Sequence, residues 1–207
     1  MKIEFQNISY KGKSNSGTGR SILRNFNAVW DLHDDNKVVF VKSVDKMITE
    51  LLFRFITGLD KPDSGKIISG NQEGIIAYIP ESSSLVTSMT TLENISLPLM
   101  MRESSKNNIE QLNDIFELTG LTGYEQHIPH PDSRGYHLRV EIARSIAAGA
   151  KSVFITNSFL QIKPDSIPRL LSMIKTISTV KEVYFFIGIP GLNISEAYPT
   201  IDISDFN

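Results

Sequence analysis

The chain has 207 residues, 41% hydrophobic and 21% charged, a balance that suits one globular domain or two small lobes sharing a core. A net charge of -2 gives no overall pull towards nucleic acid or anionic lipid, and the lack of cysteine excludes disulfides and thiolate metal sites. No apolar run approaches the ~18 residues of a membrane-spanning helix, and the polar start Met1-Lys2-Ile3-Glu4-Phe5 lacks a signal-peptide core.

Residues 3–9 alternate and are rich in β-formers, which predicts a strand. A Gly/Ser/Lys loop over 11–20 leads to a second strand over 26–32 and a turn over 33–36. Val38-Val39-Phe40-Val41 is a continuous apolar run, as in a strand buried on both faces of a parallel sheet. Positions 48, 51, 52, 55 and 56 follow helical spacing, and Gly58 ends that helix. Short strands follow over 66–68 and 74–79.

The middle third is helical. The pattern predicts a helix over 91–101 interrupted by Pro98 and an amphipathic helix over 108–118, with Ile109, Leu112, Ile115 and Phe116 on one face. It predicts a third over 138–148. Strand-helix alternation then returns, with strands over 152–156, 182–189 and 200–206 and a helix over 167–177. The expected class is α/β, a parallel core sheet with a helical insertion. His127 and His130 lie in a Pro-rich stretch with no nearby Cys or carboxylate cluster, a poor metal signature.

The order of these elements resembles the ATPase subunits of ABC transporters. Residues 51–65, LLFRFITGLDKPDSG, look like the end of the helix after the phosphate loop with its Gly-Leu-x-x-Pro-x-Ser-Gly continuation. Residues 91–99, TLENISLPL, resemble the family's T-x-x-E-N-x-x-x-P segment, most like the lipoprotein-export and lipid-transport branches. Residues 139–146, RVEIARSI, match the helix after the signature motif. The resemblance implies one domain over 1–207 with a P-loop NTPase-like parallel sheet and an N-terminal antiparallel β part. Its core would be about 1–80 and 150–207, and its helical subdomain about 82–148.

The residues at the family's chemical positions differ from its pattern. Counting back from Gly58, the phosphate-loop stretch is Ser43-Val44-Asp45-Lys46-Met47-Ile48-Thr49-Glu50, with no glycine. Thr49 stands at the phosphate lysine and Glu50 at the Mg2+ hydroxyl. Asp45 and Glu50 add negative charge where phosphates would sit, each like charge at ~4 Å costing about 1–4 kcal/mol. The stretch therefore reads as a plain strand-to-helix turn, with Lys46 a lone cation. Thr156 and Asn157 replace the acid that orders Mg2+ and the glutamate that polarises water, and Ile189 replaces the switch histidine. Glu81 stands at the metal-sensing glutamine, and Tyr10 is the nearest candidate to stack on adenine. The signature is Asp132-Ser133-Arg134-Gly135-Tyr136. Ser133, Arg134 and Gly135 read either as a contact to a partner's nucleotide or, for Ser133, as a helix cap.

The resulting expectation is a degenerate, catalytically silent ABC-type subunit with no nucleotide or Mg2+ cofactor. It would lie at the inner face of the membrane and dock to a permease or an active ATPase partner as a homo- or heterodimer. Glu81, Met100, Met101 and Arg102 would meet the permease. Two alternatives stay open: an active ATP-binding subunit with atypical motifs, and a soluble regulatory module independent of transport.

Overall fold

The structure, a computed structural model, describes residues 1–12, 21–32, 37–70, 74–101, 108–130, 132–190 and 198–204. The turn expected at 33–36, most of the 11–20 loop, Arg102 and residues 205–206 lie outside the described residues.

Strands β1 (Lys2–Lys11), β2 (Ser21–Asp31) and β4 (Ser64–Ser69) form an antiparallel sheet in the order β2-β1-β4. Ile3 and Phe5 face the core by simple alternation, and Asn7 would come next. Instead the register shifts between Phe5 and Ile8, and Asn7 takes a positive φ of 52°. That bulge turns Ile8 inward and Asn7 outward, where its amide N–H donates to Asn27 Oδ1 at 2.9 Å. Gly65 of β4, with φ of +95°, lies against the bulge, and a Cβ there would stand 2.4 Å from the Asn7 carbonyl oxygen.

The second sheet is parallel, in the order β5-β6-β7-β3-β8. Its members are β3 (Val38–Lys42), β5 (Ile75–Ile79), β6 (Ala150–Ile155), β7 (Tyr184–Gly188) and β8 (Thr200–Asp202). The apolar runs of β3, β6 and β7 are buried on both faces, as their composition predicts. Helix α1 (Lys46–Ile56) packs between the sheets with Leu52 and Phe53 fully buried. Helix α5 (Ile167–Val180) covers the other face through Leu170, Leu171, Ile174 and Ile177.

Between β5 and β6 lie α2 (Thr91–Met100), α3 (Asn108–Thr119) and α4 (Arg134–Ala147). Thr90 and Glu93 close α2 with a capping box. The Thr90 amide and hydroxyl hold the Glu93 carboxyl below its ordinary pKa. That contribution to stability is present at neutral pH and lost as pH falls through the depressed value. Pro98 does not interrupt α2, contrary to the sequence expectation. It sits in the last turn, where it removes one backbone bond before the helix ends anyway. On α3, Ile115 and Phe116 are buried and Leu112 packs beside them, while the Ile109 side chain lies outside the described residues. Helix α4 starts at Arg134, earlier than the expected 138, so most of the signature stretch is helical. No helix among the described residues is long and apolar enough to cross a membrane.

Phe154 of β6 stacks on Phe186 of β7 with centroids 4.5 Å apart, and both are fully buried. Replacing Phe154 with alanine is expected to cost about 3–5 kcal/mol, read as a lower midpoint in chemical denaturation.

Candidate functional site

The parallel strands β3, β6 and β7 end side by side, and the turns leaving them carry the residues singled out by sequence. After β3, residues 43–45 lead straight into α1, and no residue in 43–50 has a positive φ. The Ser43 hydroxyl, buried, donates to the Asp45 carbonyl oxygen. Asp45 is the N-cap of α1, and its Oδ1 accepts the Met47 amide N–H at 2.8 Å. A carboxylate is thus already placed at the positive end of the helix, the position at which this type of turn can receive a phosphate.

Lys46 does not point into a cradle. Its Nζ lies 3.2 Å from both carboxylate oxygens of Glu81, which also accepts from Gln161 Nε2 at 3.5 Å. Val44 and Met47 beside it are exposed at 76% and 51%, and the Lys46 ammonium lies on the surface against a carboxylate. Glu50 runs along the helix towards Arg54, 4.0 Å away, in an i,i+4 pair. As described, these residues do not form the phosphate cradle of the family pattern.

The buried side chains beneath these turns are polar and uncharged. Thr49, Thr156 and Asn157 are each fully buried, and Thr49 Oγ1, Thr156 Oγ1 and Asn157 Oδ1 have no hydrogen-bond partner. Tyr78 Oη is near Thr156 without bonding it, and burial pushes the Tyr78 phenol above its ordinary pKa. A small rotation would pair those two hydroxyls, which leaves Thr49 and Asn157 as the unsatisfied groups. Asn157 takes a left-handed conformation with φ of 50°, and its Nδ2 reaches the Lys46 carbonyl at 3.4 Å. Gly188 lies against both: a Cβ there would be 2.7 Å from Thr49 Cγ2 and 3.5 Å from Asn157 Oδ1. Ile189, next in the chain, is buried, and its amide bonds the Val41 carbonyl at 3.0 Å.

The remaining sequence candidates are scattered. Tyr10 packs edge-on against Phe55 of α1 at 5.4 Å, half-buried. Ser133 is exposed at the N-cap position of α4, yet its side chain makes no capping bond. Arg134 turns inward and pairs with Glu141 at 2.8 Å, so its guanidinium is not presented to a partner. Gly135 is half-exposed near Ile162. Met100 and Met101 are exposed at 72% and 83%. His127 leans on the Tyr124 ring at 4.9 Å, and His130 faces Asp132 at 3.8 Å.

Sequence reasoning did not find the Lys46–Glu81 pair, the role of Gly188 or the Arg134–Glu141 pair. For the last a signal was present. Residues 134 and 141 are two helical turns apart on one face, and Glu141 interrupts the apolar stretch Val140-Glu141-Ile142-Ala143, where a buried acid demands a cation. Adding a methyl by Gly188→Ala is expected to force Thr49 aside at about 1–3 kcal/mol, measured by denaturation midpoint.

No family model matches the chain. It is 28% identical over 192 residues to the methionine import ATP-binding protein MetN of Haemophilus ducreyi, covering 85% of this chain and 54% of that one. It is 29% identical over 129 residues to the formylaminopyrimidine import ATP-binding protein ThiZ of Halalkalibacterium halodurans, covering 62% of this chain and 51% of that one. The chain therefore matches about half the length of these relatives. Its fold is similar to that of cbiO1 from Clostridium perfringens, part of the ABC transporter complex cbiONQ, with a TM-score of 0.76, 14% identity and coverage of 97% and 83% of the two chains. It is also similar to the dimeric MJ0796, a bacterial ABC transporter cassette, with a TM-score of 0.75, 17% identity and coverage of 98% and 94%. MetN and ThiZ are ATP-binding proteins by name. The expectation of a silent subunit that takes neither nucleotide nor Mg2+ is corrected on that finding.

Proposed function

The chain belongs to the ATP-binding-cassette family of transporter subunits, and on that premise we propose that it serves as an ATP-binding subunit of a membrane import system. The observation that carries the reading is the alignment with MetN, which spans 192 residues and both the strand-rich and the helical segments. The unsatisfied Thr49 Oγ1 and Asn157 Oδ1 support it. Buried polar atoms without partners are costly, about 1–3 kcal/mol each, and persist where a ligand or ordered water completes them.

In this proposal the subunit lies on the cytoplasmic side and works as a dimer on a permease. Segment 82–148 acts as the helical subdomain and the rest as the core. Ser133 and Gly135, both accessible, approach the nucleotide of the neighbouring subunit, while Arg134 stays within its own chain. Exposed Met100 and Met101 offer the permease an adaptable apolar contact. Lys46, the cation of the 43–50 stretch, would exchange its Glu81 partner for a phosphate, and nucleotide affinity turns on that exchange. Asp45 opposes it by occupying the helix end.

Titration with labelled ATP tests this directly. Micromolar binding is expected, lost in Lys46→Ala. It is expected to be strengthened several-fold in Asp45→Gly, which removes one negative charge while glycine keeps most of the capping. Calorimetry with no heat, together with no thermal shift at millimolar MgATP, would reject the reading.

A further inference from the structure

A buried charge network ties α4 to the two loops that border the cleft. Arg134 and Glu141 are exposed by only 8% and 0% at their side chains, and Arg134 Nη1 donates to Glu141 Oε2 at 2.8 Å. Arg134 Nη2 donates to the Pro80 carbonyl oxygen at 2.9 Å and to Ser158 Oγ at 2.6 Å. Pro80 immediately precedes Glu81, and Ser158 immediately follows Asn157. The other Glu141 oxygen accepts from the Ser84 amide at 2.6 Å and from the hydroxyls of Ser84 and Ser83 at 3.1 and 3.3 Å. Arg144, one turn further along α4, donates to the Ser84 carbonyl at 3.1 Å.

We infer that Arg134 and Glu141 are positioning residues, which hold the start of α4 at a fixed spacing from the loops after β5 and β6. The arrangement is more than packing. A buried ion pair is rarely a net gain in stability over apolar residues of similar volume, because desolvating two charges offsets their attraction. What this pair adds is direction: a planar guanidinium with two fixed acceptors on two different loops, and a carboxylate filled by three donors from Ser83 and Ser84, in the same loop as Pro80. Pro80 and Ser158 cannot shift by more than a hydrogen-bond length without dragging Arg134 or breaking its bonds. The inference is independent of which ligand takes the cleft.

The chain has no cysteine, so spin labels can be placed at Met100→Cys and Leu59→Cys, both exposed, on the helical segment and beyond the end of α1. Pulsed electron–electron distance measurements are then compared in four backgrounds: unaltered, Arg134→Leu, Arg134→Lys and Arg134→Leu/Glu141→Leu. A narrow distribution is expected in the unaltered chain, at least twofold broader in every variant. The double leucine variant is expected to melt within a few degrees of the parent, since apolar replacement of both partners restores stability but not direction. Arg134→Lys keeps a cation for Glu141 but gives up the fork to Pro80 and Ser158, and it reports even if the leucine variants fail to fold. A distribution as narrow in Arg134→Lys as in the parent overturns the inference, as does an unbroadened double variant that folds.

Discussion

One run of aromatic contacts joins the two sheets, and the placement of α1 against the ends of β6 and β7 depends on it. Phe5 and Phe26 of the antiparallel sheet meet at 5.3 Å, and Phe5 meets Trp30 at 4.8 Å. Trp30 reaches Phe53 of α1 at 6.4 Å and Phe186 of the parallel sheet at 6.2 Å. Phe53 closes onto Phe154 at 5.1 Å, and Phe154 stacks on Phe186. Edge-to-face and offset pairs of this kind are directional as well as apolar. They fix the axial rotation of α1, and with it which of its residues look back at the ends of β6 and β7. Thr49 faces Gly188 because Phe53, one turn along, is held between Trp30 and Phe154.

That constraint explains the division of labour along α1. Its buried face, Ile48, Leu51, Leu52 and Phe55, belongs to the core and would tolerate little change. Its start is free to vary at Asp45 and Lys46, since Asp45 caps the helix and Lys46 reaches across to Glu81 without touching the aromatic run. The exposed pair Lys46–Glu81 is worth little to stability, so its charges remain available for other partners. The fold therefore survives changes at the cleft that alter its chemistry, as expected where function resides in a site carried by a scaffold.

The parallel core was legible because burial on both faces writes itself as continuous apolar runs, at 38–41, 153–155 and 183–187. The β1 bulge was not, because a positive φ at Asn7 leaves no trace in a hydrophobic pattern until Gly65 is seen against it. Helix α4 was read as starting late because Ser133, Arg134 and Gly135 lack apolar periodicity. Arg134 is buried there through ion pairing, which periodicity cannot register. At the cleft, each substituted position was identified singly. What they form together was hidden: Lys46 and Glu81 are 35 residues apart, and Thr49 meets Asn157 only where β7 ends.

The functional misreading has the same root. Listing Thr49, Thr156 and Asn157 as missing charges treats the positions as vacant, whereas they form a buried polar floor. Apolar side chains at these positions would avoid the cost of unsatisfied oxygens. Instead Thr49 and Asn157 bury oxygens without partners, and Asn157 adopts the left-handed conformation that asparagine tolerates. Unspent hydrogen-bonding capacity at the carboxyl ends of parallel strands is what the proposed nucleotide binding would draw on.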